Sequence, residues 1–397
     1  MDGQTTITRR SLVLGAAGAG AATVLGGVAP TAASGHGDPG HSRKRPLWRL
    51  AERKGIVFGT AFSTRLLPDA EYTRLVNREA ALLFTEDDLL WYKLKPTPES
   101  ELDFSYGDQF YRQAERHGQL VFGAHLVWDE GFGEGWTDDD LWGLSRQQAR
   151  RLLYPIIRRE VRRYRGRTAA WIVANEVIDP EGDEDGFRTE VPWYNTIGRE
   201  YVAESFHIAH EADPHAHLVL NEFGFETVNE FGDQPTDRQR AALSVIDTLL
   251  NEGVPVHGFG TQAHLLADQF ADRFHPRQYR RFLGEVADRG LKIHITEMDV
   301  LDDGLPADFR IRDRAIADVY ARYLEVALDE RAVKSLITFG LSDRHTWLEE
   351  DYPREDGSPR RPLPYDADLR PKPAYWAVVK SLLHTVGRRQ LWEIPRD

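Results

Sequence analysis

Eight short apolar runs, each followed by a longer segment with helical patterning, constrain this 397-residue chain more than anything else in it. The runs are GIVFGTA (55–61), AALLFT (80–85), LVFGAHLVW (120–128), AAWIVANE (169–176), HLVLNEF (217–223), VHGFGTQ (256–262), KIHITEMD (292–299) and KSLITFGLSD (334–343). Between them lie FYRQAERHG, REYVAESFHIAHEAD, DRQRAALSVIDTLLNEG, YRRFLGEVADRG and RDRAIADVYARYLEVALDE, in which apolar residues recur three to four apart beside charged faces. Strand followed by helix, eight times over, predicts the α/β class and a closed (β/α)8 TIM barrel. An open doubly wound sheet would want a Gly-rich phosphate loop after the first strand, and GTAFSTR lacks that spacing. KPAYWAVVKSLLH is expected to be the last helix, closing the barrel against its first strand.

Composition narrows the function classes. With 63 acidic against 50 basic residues the formal charge is -13, which gives no footprint for nucleic acid and repels anionic membranes. A neutral or cationic substrate fits better. The chain has no cysteine, which removes disulfides, thiolate metal sites and a Cys nucleophile. No HExxH or comparable ligand motif is present, so neither metal nor cofactor is expected.

The N-terminus carries an address. Thr8-Arg9-Arg10-Ser11-Leu12 precedes the run LVLGAAGAGAATVLGGVA and the small-residue stretch TAAS, which resembles a twin-arginine signal read by that export machinery. Residues 1–33 are therefore expected to be a signal peptide, 34–47 a flexible leader and 48–397 one catalytic domain, secreted or extracytoplasmic.

In barrel enzymes catalytic groups collect where the strands end. Here those ends offer Glu86, Asp87 and Asp88 after the second run, His125, Trp128 and Asp129 at the third, Asn175 and Glu176 at the fourth, and Asn221 and Glu222 at the fifth. Gln262 and His264 follow the sixth, Glu297 and Asp299 end the seventh, and Asp343 and Trp347 follow the eighth. Glu176 and Glu297 are two strand-end carboxylates on one barrel face, the pair a glycosidase needs. Carboxylates sharing such a cleft are expected to raise one another's pKa, leaving one protonated while another stays charged.

WIVANEVIDP, GFGTQAHL, ITEMDV, GLSDRHTW and DADLRPKPAY together resemble glycoside hydrolase family 10, the endo-β-1,4-xylanase family of retaining (β/α)8 enzymes, from about Gly55 to Val379. The resemblance implies Glu176 as general acid/base, Glu297 as nucleophile, Asn175 as a contact to the sugar 2-hydroxyl, and Gln262 and His264 as sugar contacts that orient the nucleophile. It also implies Trp128 and Trp347 as aromatic walls of the cleft and Glu86 as the start of a distal-sugar motif. Double displacement would place the two carboxylates about 5–5.5 Å apart. The partner would be a β-linked oligo- or polysaccharide, or another glycoside.

The sugar-reading shell departs from the family pattern. Asp87 and Leu90 stand where an Asn and a Lys are usual, Asp129 where a His is usual, Glu222-Phe223-Gly224 in place of Asp-Tyr-Asn, and Phe339 in place of a tryptophan. Asp87, Asp129, Glu176 and Glu297 are accordingly expected to form an unusually anionic subsite short of one cation. That leaves two alternatives beside xylan hydrolysis: a hydrolase or transferase acting on a different glycoside, and a non-catalytic carbohydrate-binding barrel.

Overall fold

Each strand of a closed parallel barrel is covered on both faces, which is why its sequence reads as an unbroken apolar run. The computed structural model describes residues 45–229 and 231–395, and within them the strands are β1 (Val57–Phe62), β2 (Leu82–Thr85), β3 (Leu120–Gly123), β4 (Ala170–Asn175), β5 (His217–Glu222), β6 (Gly258–Thr261), β7 (His264–Leu266), β8 (Lys292–Leu301) and β9 (Val333–Thr338). β1 to β6 pair in parallel in chain order, β6 continues to β8, β8 to β9, and β9 returns to β1 from Val57↔Ser335 to Thr60↔Thr338. The result is the expected eight-stranded (β/α)8 barrel. Its wall residues, among them Phe58, Leu83, Phe122, Ile172, Leu220, Phe259, Ile293 and Leu336, are fully buried. The expected signal peptide, residues 1–33, and most of the expected leader lie outside the described residues. Among those described, no helix is long and apolar enough to cross a membrane.

All eight runs hold a strand, with two differences. The third run is a strand only to Gly123; beyond it a single bridge joins Val127 to Ala174. β7 is a ninth, three-residue strand that adds to the outer end of β8 through His264↔Asp299 and Leu266↔Leu301. β8 serves both neighbours because it is ten residues long.

The helices begin where local chemistry satisfies their first N–H groups. Asp69 caps Ala70–Glu79, Ser145 and Gln148 form a capping box on Arg146–Arg163, and Asp308 caps Phe309–Ala327. Pro276 and Pro373 open their own helices, where the missing N–H costs nothing. The helix Pro373–His384 does not close the barrel against β1: it packs on helices Phe309–Ala327 and Leu47–Glu52, and closure is the β1–β9 ladder itself. Past β8, Asp302 is fully buried and binds Arg312 at 2.7 Å and Arg360 at 2.9 Å. That cluster ties the strand that carries Glu297 to the segment after β9.

The segment beyond the last helix covers the N-terminal end of the barrel. Arg388 N–H donates to the Lys54 carbonyl, and Lys334 Nζ to that of Arg389. The Trp392 ring stacks on His294 (5.4 Å between centroids) and meets His217 edge-on. β6 makes room for these imidazoles with a glycine: a Cβ on Gly258 would lie 2.7 Å from His217 Nε2 and 3.0 Å from His294 Nε2.

Burial, with His257 and Lys292 nearby, pushes His217 down to about 3, and burial beside His217 and Lys334 pushes His294 well below its usual range. Below the ordinary histidine pKa the unfolded chain takes up protons that these buried rings refuse. Stability is therefore fully present above roughly pH 6.5 and falls toward pH 3, by about 2 kcal/mol for one such histidine at pH 5. The raised carboxyls Glu222 and Asp129 act with opposite sign, so the contribution is read as a difference. Wild type should lose urea stability more steeply than His217→Gln between pH 7 and 5, and parallel slopes would refute the assignment.

Candidate active site

Irregular pairing aims both glutamates. The β4–β5 register shifts between Ile172 and Ala174, and the β8–β9 register between Ile295 and Met298. Bulges of this kind re-aim side chains beside functional sites. Glu176 itself has φ 58°, the left-handed region that a non-glycine residue occupies at a cost, and this turns its side chain over the end of β4. Its N–H still donates to the Asn221 carbonyl, and that of Glu297 to the Gln262 carbonyl, so both residues are seated in the barrel ladder.

A carboxamide network spans the gap between the two acids. Asn221 Nδ2 donates to Glu297 Oε1 and to Asn175 Oδ1, each at 2.8 Å, and Asn175 Nδ2 donates to Glu176 Oε1 at 3.1 Å. Thr296 Oγ1 donates to Asn221 Oδ1 at 2.8 Å, which fixes the orientation of that amide. Gln262 Nε2 reaches Glu176 Oε1 at 2.9 Å, and Trp128 Nε1 holds Glu176 Oε2 at 3.1 Å. Gly260 is required for this arrangement, because a Cβ there would lie 2.1 Å from Asn221 Oδ1.

Glu297 does not follow the expectation of mutually raised carboxyls. Burial pushes its pKa up, but the hydrogen bond and charge of His264, the proximity of His125 and the Asn221 amide outweigh burial and hold it below the usual carboxylate range. His264 lies between two acids, Nδ1 at 2.7 Å from Asp299 Oδ1 and Nε2 at 3.4 Å from Glu297 Oε2. Burial disfavours its charge, yet Asp299 and Glu297 raise it well above the ordinary histidine value. Trp347 Nε1 donates to the other Asp299 oxygen at 2.8 Å. The anionic Glu297 thus faces a fixed imidazolium.

Three neighbouring acids are raised, each mainly by burial: Glu222 to about 7 despite Arg238 at 2.7 Å, Asp129 to about 6 despite Arg188 at 3.1 Å, and Glu86 against the pull of Arg65 at 2.7 Å. The expected cation deficit is not found. Asp87 binds Lys93 at 2.8 Å, and the Tyr92 hydroxyl donates to it at 2.7 Å. Lys93, which also binds Asp88 at 3.0 Å, supplies at position 93 the charge that Leu90 lacks. Arg188 does the same for Asp129.

The structure therefore brings Trp128, Asn175, Glu176, Gln262, His264, Glu297, Asp299 and Trp347 into one network, with Asp129 joined through Arg188. Glu86 and Asp87 stand in an adjoining ion cluster at the end of β2. Leu90 and Trp128 both approach Gly131: a Cβ there would lie 3.4 Å from the Leu90 side chain and 3.7 Å from that of Trp128. Sequence reasoning missed Lys93 and Arg188. His125 has both ring nitrogens buried without a hydrogen-bond partner, and burial lowers it to about 4, so it is a neutral ring beside Glu297. Among the described residues no cluster of three or more His, Cys, Asp or Glu is arranged to hold a metal.

A closed (β/α)8 barrel whose C-terminal mouth presents two glutamates on β4 and β8, one anionic and both held by amides, defines a glycoside hydrolase. The comparisons place it more narrowly: the model of Glycosyl hydrolase family 10 matches residues 47–381, and the chain belongs to that family. It is 30% identical over 342 residues to endo-1,4-beta-xylanase B of Thermotoga neapolitana, covering 85% of this chain and 91% of that protein. It is 29% identical to endo-1,4-beta-xylanase 5 of Pyricularia oryzae, covering 84% and 77%. The crystal structure of native xylanase 10B from Thermotoga maritima superposes with a TM-score of 0.74 at 29% identity, over 85% of this chain and 98% of that one. Xylanase 10B from Thermotoga petrophila RKU-1 in complex with xylobiose gives 0.75 at 27% identity, over 86% and 98%.

Proposed function

We propose that the protein is a secreted endo-β-1,4-xylanase-like enzyme that cleaves β-linked glycan with retention, Glu297 acting as nucleophile and Glu176 as acid/base. The observation that carries this reading is the asymmetry of the two acids. Glu297 is buried and anionic against His264, whereas Glu176 is partly exposed at the mouth of the barrel and held by three neutral donors. In the first step Glu297 attacks the anomeric carbon while Glu176 gives its proton to the departing oxygen. In the second, Glu176 takes a proton from water, which displaces Glu297 and restores the starting configuration.

The surrounding groups suit the sugar. Trp128 and Trp347 offer ring faces, with their indole N–H groups turned onto Glu176 and Asp299. Xylan is the substrate most consistent with the named activities of the relatives. Export through the twin-arginine machinery fits an enzyme acting on a polymer outside the cell.

Product analysis on xylan, β-glucan, mannan, chitosan and aryl β-glycosides tests the proposal. Short xylo-oligosaccharides with β-configured new ends, released by wild type and not by Glu297→Ala, are the expected result. Silence on every glycan, with binding retained in Glu176→Gln, would establish the carbohydrate-binding alternative, and transfer without hydrolysis would establish a transferase.

A further inference from the structure

The loop that leaves Glu176 does not wander into solvent. Ile178 bridges Phe187 in antiparallel fashion, and the Arg188 N–H donates to the Val177 carbonyl at 2.8 Å. This hairpin-like return sets Arg188 back beside the residue the chain left twelve positions earlier. The guanidinium meets Asp129 with both terminal nitrogens, Nη2 at 3.1 Å and Nη1 at 3.3 Å, and Nη1 lies 3.5 Å from the Glu176 carbonyl. Both side chains are nearly enclosed, 14% and 9% exposed. The Arg188 Nε is buried without a hydrogen-bond partner.

We propose that the Asp129–Arg188 pair is a positioning unit for Glu176: it fixes the net charge felt by the acid/base carboxyl and thereby the pH range over which that carboxyl can give its proton. The proposal rests on the role of Glu176 given above. Other groups face the same point: Glu130 beside Asp129, Tyr201 from the helix Glu200–Ala212, Glu222 on β5 with its own cation Arg238, His264 after β6, and Glu297 on β8 with His125 near it. Glu222 and Glu297 each have a cationic partner. The Glu222 acid is raised in the same way, to about 7; the Asp129–Arg188 pair differs because its guanidinium also reaches the Glu176 carbonyl, and its own acid is raised to about 6, by burial first, with Arg188 opposing the rise and Glu176 adding to it. Near that pH Asp129 takes up a proton, and the unit changes from neutral to positive at hydrogen-bond range of the Glu176 main chain. Two groups coupled in this way titrate as a pair.

Opposite charge changes should then move Glu176 in opposite directions. Asp129→Asn leaves the guanidinium unopposed and favours the ionised carboxyl, so the alkaline limb of kcat/KM moves to lower pH. Arg188→Gln leaves Asp129 unopposed and moves it to higher pH. Each shift should be about one pH unit, the size expected for one charge gained or lost in a partly enclosed cleft. Arg188→Lys should keep the limb near wild type, and the double variant should return toward it. A role confined to stability would lower melting temperature without moving the limb.

The deciding experiment is a carbon-13 NMR titration of protein labelled at the glutamate carboxyl carbons, with the Glu176 resonance assigned by its loss in Glu176→Gln, alongside kcat/KM profiles on an aryl β-glycoside. The NMR needs no turnover, so an inactive enzyme would sink the functional reading while still deciding the pair. Opposite shifts in the two single variants support the proposal, and so does a second inflection near pH 6 in the Glu176 curve that persists in Glu222→Gln and is lost in Asp129→Asn. A one-step wild-type curve, or variants that leave Glu176 unmoved or move it the same way, overturns it. Where a variant at 129 or 188 does not fold, the wild-type and Glu222→Gln curves together decide the matter.

Discussion

Glu297→Ala should leave the barrel folded and lower kcat/KM by on the order of 10⁴-fold or more, the scale seen when a covalent nucleophile is removed. Three features concentrate the effect at this residue. The carboxylate is buried, its charge is held by His264, and one oxygen is fixed by Asn221, so no neighbour can take its place without moving the network. The truncated side chain leaves a gap into which azide can enter. Azide should restore turnover of an activated aryl β-glycoside and give the α-glycosyl azide, the product of one inversion. Glu176→Ala under the same conditions should give the β-glycosyl azide, because there the glycosyl-enzyme still forms. The configuration of these two azides separates the roles of the two glutamates, and exchange of the two outcomes would reverse the assignment.

Asp302→Ala should be the most damaging substitution away from the chemistry. Asp302 is fully buried and answers Arg312 and Arg360, themselves 0% and 2% exposed. Removing the acid strands Arg312 in the interior, while Arg360 keeps Asp303 at 2.9 Å, and breaking one such buried pair typically costs about 3–5 kcal/mol. The expected result is a large fall in the urea midpoint with little change in its slope, since the folded surface is the same. Asp302→Asn keeps the shape and some of the acceptors, so its loss should be smaller. A midpoint within experimental error of wild type for the alanine variant would mean that water reaches the Arg312 guanidinium.

The barrel was legible because parallel strands covered on both sides leave unbroken apolar runs, and each run did carry a strand. β7 was not, since a three-residue strand laid against β8 has no period of its own. The third run overstated its strand for a related reason: AHLV is buried at the barrel mouth, but it meets β4 only through the Val127–Ala174 bridge and its flanking hydrogen bonds. Both central glutamates could be picked out by their place at strand ends, and the motif resemblance supplied their partners. The charge balance could not be read in this way. Asp129 and Arg188 are 59 residues apart, and only the returning loop joins them. Lys93 sits three residues beyond the position at which its charge was sought, and a one-turn helix at Trp91–Leu94 is what swings it onto Asp87. Opposite charges that meet through tertiary structure leave no local pattern, so the sequence alone showed an excess of acid.

The amide of Asn221 has a wider implication. It touches groups from β4 and β8 at once, so the spacing of the two acids is set by strand register and not by any loop. Hydrolytic geometry and substrate choice are thereby separable parts of the molecule. Insertions after β2 or β4 can rewrite which glycan is accepted while the bond-breaking pair stays where the sheet puts it. An engineer could exchange the segment 179–186, inside the Ile178–Phe187 bridge and short of Arg188, for that of a relative and expect altered preference with the underlying reaction preserved, and natural divergence has the same freedom.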